Sequence, residues 1–324
     1  MMHSFLNSSF NIGSIHLANR LIQGPLAGFS CAPFRELFYQ FTPPAYCTTE
    51  MISAHDVLHK HQLNSRYLYR SPLEKILSYQ IAGNDPGTMA EAGSYLASMG
   101  ANLIDINCGC PKTKIRKKGA GSALLNEPQQ LLKIVYSVRK MINLPLTVKL
   151  RIQGNGHDAD LAKAIEQAGA DALIIHGRRW NDDYSVDCNF AQIAEIKRAV
   201  SIPVIANGDI HDKTSLTKAL INSGCDAYMI ARAGTGKPWL YQNLLDEVTI
   251  HPDPDMIKVL FMQHLHKLAK LENDYKAVLQ SRALLRYYFK AQLSPTELQT
   301  FYNLEYLDDI ERELKNCRSR SVLH

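Results

Sequence analysis

The chain has 324 residues, of which 46% are hydrophobic and 21% charged, and a formal net charge of +5. This composition predicts an ordinary globular protein with a full core, and the mild charge implies that an anionic partner is held by a local patch. No apolar run reaches the ~18 residues of a spanning helix, and residues 1–19 lack the regions of a signal peptide, so we expect a cytoplasmic protein without a membrane partner. Seven scattered cysteines, an odd number, favour a reducing compartment over a disulfide framework.

Apolar strand patterns alternate with helical patterns along most of the chain. The predicted strands are Leu21–Leu26, Ala45–Ile52, Leu77–Ala82, Leu103–Cys108, Pro145–Leu150, Ala172–His176, Pro203–Asn207 and Ala227–Ala231. Asp85–Pro86 predicts a helix start, and Gly100, Gly169 and Gly224 predict helix ends. Eight βα units within about 240 residues match a (β/α)8 TIM barrel, and the lack of a G-x-G-x-x-G helix start after any strand argues against a Rossmann fold. Residues 1–248 are therefore predicted to form an α/β barrel domain.

The pattern changes after residue 248. Asp253–Pro254 predicts the start of a long helix, a second runs from about Lys276 to Leu293, and Ser294–Glu297 is a capping box that opens a third. A last helix is expected around Ile310 and Leu314. Residues 249–324 are therefore predicted to form a small all-α bundle.

One predicted helix of this bundle carries a row of cations. Arg282, Arg286 and Lys290 recur every four residues, which places them on one face next to Tyr287 and Tyr288. Such a face suits contact with RNA phosphates and stacking on bases. A merely solvated cationic face fits the same spacing equally well.

Polar residues and glycines follow all eight predicted barrel strands, whose carboxyl ends form the face where chemistry is expected. They are Gly24–Gly28, Glu50, Gln80, Asn107 with Cys110, Lys149 with Arg151, His176 with Arg178, Asn207–Asp209 and Ala231–Gly234. Taken singly, Gln80 or His176 is more often a satisfied structural residue, but as a ring these residues predict a ligand site. Because the last two loops are glycine-containing, the ligand is expected to carry a phosphate. Gly234–Lys237 only superficially resembles a nucleotide P-loop, since Ala231 replaces its first glycine.

Two thiols end the fourth predicted strand, in Asp105-Ile106-Asn107-Cys108-Gly109-Cys110-Pro111. Their spacing fits neither a zinc knuckle nor a redox pair, and we interpret one of them as a lone reactive cysteine. Two buried core cysteines are the alternative. A flexible cationic segment is expected to follow, and its cations are Lys112, Lys114, Arg116, Lys117 and Lys118. They are expected to lower the thiol pKa or to hold a polyanion over the site.

Several of these segments together resemble the tRNA-dihydrouridine synthases, the bacterial B-type most closely. The segments are Pro25-Leu26-Ala27-Gly28, Gln80-Ile81-Ala82-Gly83, the Asp105–Pro111 run with Gly119–Leu125, Lys149-Leu150-Arg151, His176-Gly177-Arg178 and Ile205–Asp209. The resemblance covers roughly residues 10 to 245 and implies an FMN-containing barrel that uses NADPH to reduce uridines of the tRNA D-loop. It also implies that the helical C-terminal domain docks tRNA. We expect a monomer that needs no metal.

The resemblance further implies roles for single residues. Pro25, Leu26 and Ala27 would line the flavin, Gln80 and Lys149 would contact its ring, and His176 would pack against it. Asn207, Gly208, Asp209, Ala231 and Arg232 would surround its phosphate end. Cys110 would donate a proton, and Asn107 and Arg151 would face the uracil. The chain departs from the family pattern at Leu26, where methionine is usual, and at Ala231, where a glycine is usual and a methyl group is expected to crowd the phosphate.

The residues also fit this chemistry on physical grounds. Reduction of the uracil C5=C6 bond needs a hydride donor at one carbon and an acid at the other, and a thiol with a pKa near ~8.5 is mostly protonated at neutral pH. Cys108 is expected to point into packing. A Schiff-base role is the alternative for Lys149. Two other functions stay open, namely an FMN barrel that acts on a free pyrimidine, similar to dihydroorotate or dihydropyrimidine dehydrogenases, and a non-catalytic RNA-binding module.

Overall fold

The computed structural model describes residues 2–289 and 292–317 of the chain. A short hairpin of β1 (Phe10–Ile12) and β2 (Ile15–Leu17) precedes the segments of one parallel sheet. These segments are β3 (Leu21–Gln23), β4 (Tyr46–Thr48), β5 (Ile52–Ser53), β6 (Leu77–Ala82), β7 (Leu103–Cys108), β8 (Leu146–Arg151), β9 (Ala172–His176), β10 (Val204–Asn207) and β11 (Ala227–Ile230).

The sheet closes into a barrel at β4 and β5, which together take the place of the second of its eight strands. β4 pairs with β3 on one side and with β6 on the other, and β5 continues alongside β6. Counted together, β4 and β5 complete the predicted (β/α)8 barrel, which is confirmed. A continuous strand over Ala45–Ile52 is wrong, because the chain leaves the sheet between β4 and β5. There the Thr49 hydroxyl donates to the Glu50 carbonyl at 3.0 Å, and the Glu50 side chain turns towards the backbone of Gly28.

Helices connect the strands and form the C-terminal bundle. They are α1 (Met2–Leu6), α2 (Ala32–Glu36), α3 (Ala54–His59), α4 (Pro86–Ser98), α5 (Thr113–Arg116), α6 (Pro128–Met141), α7 (Asp158–Gln167), α8 (Phe190–Ala199), α9 (Lys213–Ser223), α10 (Leu240–Leu245), α11 (Pro254–Leu271), α12 (Asp274–Tyr288), α13 (Pro295–Asn303) and α14 (Leu307–Asn316). The predicted signals are confirmed at Asp85, which caps α4 by accepting the Thr88 N–H at 2.8 Å, and at Gly224, which ends α9 with a φ of 57°. The Ser294 capping box is also present. α12 ends earlier than predicted, because Phe289 leaves the helical conformation and is buried in the bundle.

The N-terminal hairpin fills the barrel end opposite the predicted site. Ile12 and Leu17 pack inside the barrel against residues near the start of the strands, such as Leu103 and Ala227. The sequence did not predict this hairpin, because strands of three residues carry too little alternation to be recognised. The hairpin therefore leaves only the carboxyl ends of the strands open to a ligand.

The bundle packs on that open face and shares its core with a barrel loop. Cys31, Leu37 and Trp239 of the barrel region are buried together with Leu260 and Phe261 of α11. The loop after β11 also approaches the end of α12 closely. A Cβ atom added to Gly236, whose φ is 71°, would lie 2.8 Å from the carbonyl carbon of Tyr287. The two regions therefore form one continuous packed unit around the face that carries the site.

A half-buried ionic junction reinforces this packing. Arg66 donates to the Glu50 carboxylate at 2.7 and 2.9 Å and to the Glu272 carboxylate of the bundle at 2.6 Å. It also donates to the side-chain oxygen of Gln280 at 3.1 Å. Glu50 was expected in the ring of site residues, but the structure instead uses its carboxylate to connect Arg66 with the backbone of Gly28.

His264 is a buried titratable group in the bundle core. Its Nδ1 lies 3.1 Å from the Tyr288 hydroxyl, and its ring lies near Phe34. Burial, with a smaller contribution from Arg66 and Lys267, lowers the pKa of His264 to about 3. The folded protein therefore keeps this ring neutral in a pH range in which the unfolded chain protonates it.

This difference predicts a pH-dependent loss of stability. Because the folded pKa of His264 lies below the unfolded value of ~6.5, its contribution is complete above pH ~6.5 and is lost progressively as the pH falls towards 3. In His264→Phe, the unfolding free energy should fall less steeply with decreasing pH than in the wild type. The two slopes should differ by about 1.4 kcal/mol per pH unit between pH 6 and pH 4. Urea denaturation at a series of pH values measures both slopes.

The control is Phe261→Leu, which weakens the same core without removing a titratable group. It should lower stability by a similar amount at every pH. Parallel curves for the wild type and His264→Phe would contradict the burial of a neutral His264.

Candidate active site

A cavity of about 1030 Å³ lies at the carboxyl ends of the barrel strands, between the barrel and the bundle. It brings together most of the predicted site residues. Those that line it are Pro25, Leu26, Ala27, Gln80, Asn107, Cys110, Lys112, Lys149, Arg151, His176, Asn207, Gly208, Asp209, Ala231, Arg232 and Arg286. The α12 residues Arg286, Tyr287 and Tyr288 line the same cavity, so the bundle forms part of its wall.

A series of hydrogen bonds between buried polar groups orients β7 and the turn that carries Cys110. The Asp105 carboxylate accepts hydrogen bonds from Thr147 at 2.6 Å and from the Gln80 amide at 2.7 Å. The Gln80 carbonyl oxygen then accepts from the Asn107 amide at 2.8 Å. The Asn107 side-chain oxygen accepts from the backbone N–H of Cys110 at 3.0 Å. The backbone that presents Cys110 is thus held in place by a carboxylate inside the barrel.

The two cysteines have different environments. Cys108 is completely buried in the apolar core, and burial raises its pKa far above the usual range, as predicted for a packing residue. Cys110 is half-buried, lines the cavity and is not in a disulfide. Strict strand alternation would place residues 108 and 110 on the same side. They separate because β7 ends at Cys108, and Asn107 bonds the turn that follows it.

The cavity carries cations with few opposing charges in direct contact. Lys149 donates to the side-chain oxygen of Asn207 at 2.9 Å, and Arg151 donates to the carbonyls of Gly109 and Arg179. Burial lowers the pKa of Lys149 and raises that of Asp105, and the attraction between the two charges opposes both shifts. Burial and the neighbouring cations hold the pKa of His176 well below its ordinary value, so its ring is neutral.

The expected phosphate end is built around a buried arginine. Arg178 donates to both oxygens of Asp209 at 2.7 Å, so the carboxylate is already engaged by a cation. Gly208 has a φ of 128°, and a Cβ atom there would lie 2.6 Å from the Cys188 sulfur. Arg232 is exposed, and its guanidinium lies 3.5 Å from the centre of the Tyr184 ring. At Ala231 the φ is −114°, so this position does not need the left-handed backbone that favours glycine.

The turn that carries Pro25, Leu26 and Ala27 is held from both domains. Glu50 accepts the Gly28 N–H at 2.6 Å, and Gln280 of α12 donates to the Gly28 carbonyl at 2.7 Å. A barrel carboxylate and a bundle amide thus hold the two peptide groups on either side of Gly28, next to the cavity.

The predicted cationic residues differ in their positions, and of those on the segment after Cys110 only Lys112 lines the cavity. Lys114, Lys117 and Lys118 are exposed outside the cavity, and Arg116 is half-buried. The expectation of a flexible segment is wrong for part of this stretch, because Thr113–Arg116 forms a helical turn. Arg286 is exposed in the cavity wall, whereas half-buried Arg282 donates to the Leu304 carbonyl at 3.5 Å. Lys290 lies outside the described residues.

Other site residues were missed or misinterpreted at the sequence level. Tyr288 is buried with its hydroxyl against His264, so it does not present its ring for stacking as expected. Tyr184 was not predicted, although it lines the cavity and stacks on Arg232. The available signal was the length of the segment between β9 and α8, since long connections in compact domains are often functional.

Within residues 2–289 and 292–317, no helix has the length and apolar character of a membrane span. In the same part of the chain, no group of three His, Cys, Asp or Glu side chains is arranged to hold a metal ion.

Comparisons with known proteins agree with this architecture. A family model described as dihydrouridine synthase (Dus) matches residues 22–321. tRNA-dihydrouridine synthase B of Vibrio vulnificus is 34% identical over 300 residues, which cover 90% of this chain and 93% of that protein. The same enzyme of Pseudomonas aeruginosa is 33% identical over 320 residues, which cover 96% and 95%. Morphinone reductase, solved in complex with tetrahydroNAD, superposes with a TM-score of 0.55 at 13% identity over 78% of this chain and 93% of its own.

The closed barrel with a polar cavity at its strand ends defines a TIM-barrel protein, and the matching family model makes it an enzyme of the oxidoreductase class. The chain belongs to the dihydrouridine synthase family, since the family model spans both the barrel and the bundle. The resemblance inferred from the sequence motifs is thereby confirmed, and the relatives named above are of the B-type.

Proposed function

We propose that this enzyme reduces uridines in the D-loop of tRNA to 5,6-dihydrouridine, with FMN as its bound cofactor and NADPH as its reductant. The observation that carries the proposal is one cavity that combines a half-buried free thiol, a half-buried lysine and cationic groups of both the barrel and the bundle. The names of the relatives support tRNA as the substrate.

The residues present fit a bound FMN. The cavity, at about 1030 Å³, has room for a cofactor together with a base. His176 Nε2 and Arg178 Nη1 are buried and have no hydrogen-bond partner among the described residues, which is costly unless a ligand satisfies them. The loops after β10 and β11 occupy the position at which TIM barrels commonly bind phosphate. Pro25, Leu26, Ala27, Gln80, Lys149 and His176 would hold the ring, and Asn207, Gly208, Asp209, Ala231 and Arg232 would surround the phosphate end.

FMN, when bound, supplies the hydride that is delivered to C6 of the uracil. Cys110 holds the proton that is delivered to C5, and the Asn107 bond to its backbone N–H keeps the thiol at the cavity wall. Asn107 and Arg151 orient the uracil from the same wall. Lys149, which donates to the side-chain oxygen of Asn207, would hold the flavin ring and would supply a positive charge to it.

Recognition of RNA is assigned to two cationic surfaces. One is the segment with Lys112, Lys114, Arg116, Lys117 and Lys118 beside Cys110, and the other is α12, where Arg286 is exposed in the cavity wall. A small free pyrimidine would need neither surface.

The proposal is tested with purified protein and an unmodified tRNA transcript. The protein should carry a flavin absorbance, and nuclease digestion followed by mass spectrometry should detect dihydrouridine only when NADPH is present. A colourless protein that binds tRNA would favour the non-catalytic alternative, and turnover of free uracil but not tRNA would favour the free-pyrimidine alternative.

Cys110→Ala tests the proton donor. This variant should retain FMN and its reduction by NADPH, but it should lose dihydrouridine formation by a factor of about 10² or more, because general acid catalysis contributes at least that much. Single-turnover assays on tRNA measure the loss. The matched control is Cys108→Ala, which removes the buried thiol and should stay active; the reverse pattern would assign the acid to Cys108.

Arg232→Ala tests the phosphate end of the cofactor. Loss of a charge-assisted hydrogen bond should weaken FMN binding by about 1.5–3 kcal/mol and give a folded but largely colourless protein after dialysis. Arg232→Lys should retain more cofactor because it keeps the charge. Arg198→Ala, an exposed arginine on α8, serves as the control. Full FMN occupancy in Arg232→Ala would place the phosphate elsewhere.

Arg286→Ala tests the bundle surface. If Arg286 contacts a phosphate, its removal should weaken tRNA binding and lower the slope of log affinity against log salt by about one. NADPH oxidation should not change, since that half-reaction needs no RNA. Arg312→Ala on α14 is the control, because Arg312 is exposed and pairs with Asp309 on its own helix. Coincident salt curves for Arg286→Ala and the wild type would show that this face is only solvated.

A further inference from the structure

An exposed tryptophan lies against Arg116, in the cationic segment that follows Cys110, and has no role in the site described above. Trp180 belongs to the segment between β9 and α8, and 42% of its surface is exposed. One face of its ring is covered by the Arg116 guanidinium, whose central carbon lies 3.7 Å from the ring centre. Aromatic residues are enriched at binding interfaces relative to the rest of a protein surface.

A short series of contacts connects this ring with the backbone of Cys110. Arg116 donates to the Ser122 hydroxyl at 2.9 Å, and that hydroxyl donates to the Cys110 carbonyl at 2.9 Å. From the other side, Arg151, which lines the cavity, donates to the carbonyl of Arg179, the residue before Trp180. The Arg179 backbone N–H in turn donates to the Asp182 carboxylate at 2.8 Å. Trp180 itself does not line the cavity, but these contacts hold it next to Cys110 and Arg151, which do.

We propose that Trp180, braced by Arg116, is a stacking platform for a nucleotide adjacent to the uridine that is reduced. The inference rests on the proposed function, because a uridine that enters the cavity must leave its stack in the RNA. Its neighbour then loses a stacking partner, and an aromatic ring at the mouth replaces that partner. Arg116 orients the ring and places a positive charge next to the RNA backbone.

A second pair on the protein provides a matched comparison. Tyr136 on α6 is also exposed, at 55%, and carries Lys140 over its ring at 5.3 Å. Both residues lie on one outer helix and neither lines the cavity. If removal of any exposed aromatic ring next to a cation weakened tRNA binding, the loss should therefore be equal at Trp180 and at Tyr136.

The first experiment measures tRNA turnover and binding in Trp180→Ala, Trp180→Phe and Tyr136→Ala. Trp180→Ala should raise the Kd and KM for an unmodified tRNA transcript by about tenfold, and Trp180→Phe should restore part of that loss. Tyr136→Ala should match the wild type. All variants should oxidise NADPH at the wild-type rate, which shows that the fold and the flavin site are intact. Wild-type tRNA affinity in Trp180→Ala would overturn the proposal.

The second experiment removes the base instead of the ring. Mass spectrometry first identifies the reduced uridine, and transcripts with one abasic nucleotide on either side of it are then compared. One of these two transcripts should bind the wild type more weakly than the intact tRNA does, by about the same factor as the Trp180→Ala substitution. The same transcript should bind Trp180→Ala about as well as the intact tRNA does. Additive losses on both sides would overturn the stacking contact.

The two levels of the proposal fail in different ways. If the wild type forms no dihydrouridine in tRNA, the proposed function fails and the stacking platform fails with it. If the wild type is active and Trp180→Ala matches it, only the stacking platform fails.

Discussion

A buried carboxylate inside the barrel determines the geometry of the site. Asp105 is completely buried, where a charge is costly, and this cost is offset by hydrogen bonds from Thr147 and Gln80 and by attraction to Lys149. Because each amide in the series has both a donor and an acceptor, the orientation of Gln80 dictates that of Asn107. The turn that presents Cys110 is the end of this series, so the backbone at Cys110 is positioned by hydrogen bonds that begin at a carboxylate inside the barrel.

The bundle contributes to the same cavity through contacts that resemble those of a domain interior. Arg66 joins carboxylates of the barrel and of the bundle, and Gln280 bonds the peptide next to the turn of Pro25–Ala27. The shared apolar core around Phe261 makes the junction rigid on the side of the first barrel loop. The RNA contact proposed for α12 would therefore be made by the element that also forms part of the cavity wall.

Much of the site could be predicted because the barrel brings the ends of its strands to one face. Lys149, His176 and Asn207 stand at the ends of apolar strands, and a ring of such residues follows directly from strand spacing. Glu50 looked equivalent in the sequence and is not, since the chain breaks between β4 and β5 and turns its side chain towards Gly28 and Arg66. Arg282 and Arg286 share one helix face by spacing, yet of these two only Arg286 lines the cavity. Arg282 instead contacts the carbonyl of Leu304, in the segment after α13.

The sequence by itself determined the alternation of strands and helices, the helix caps at Asp85 and Ser294, and the family, because these depend on local pattern and on residue identity. The tertiary structure decided which of the two thiols faces the cavity, since the turn after β7 depends on a hydrogen bond from a side chain that is itself oriented by another strand. It also decided that Arg178 pairs with Asp209 and that Trp180 meets Arg116. Contacts between residues far apart in the chain have no local signature, so only the closed barrel could reveal them.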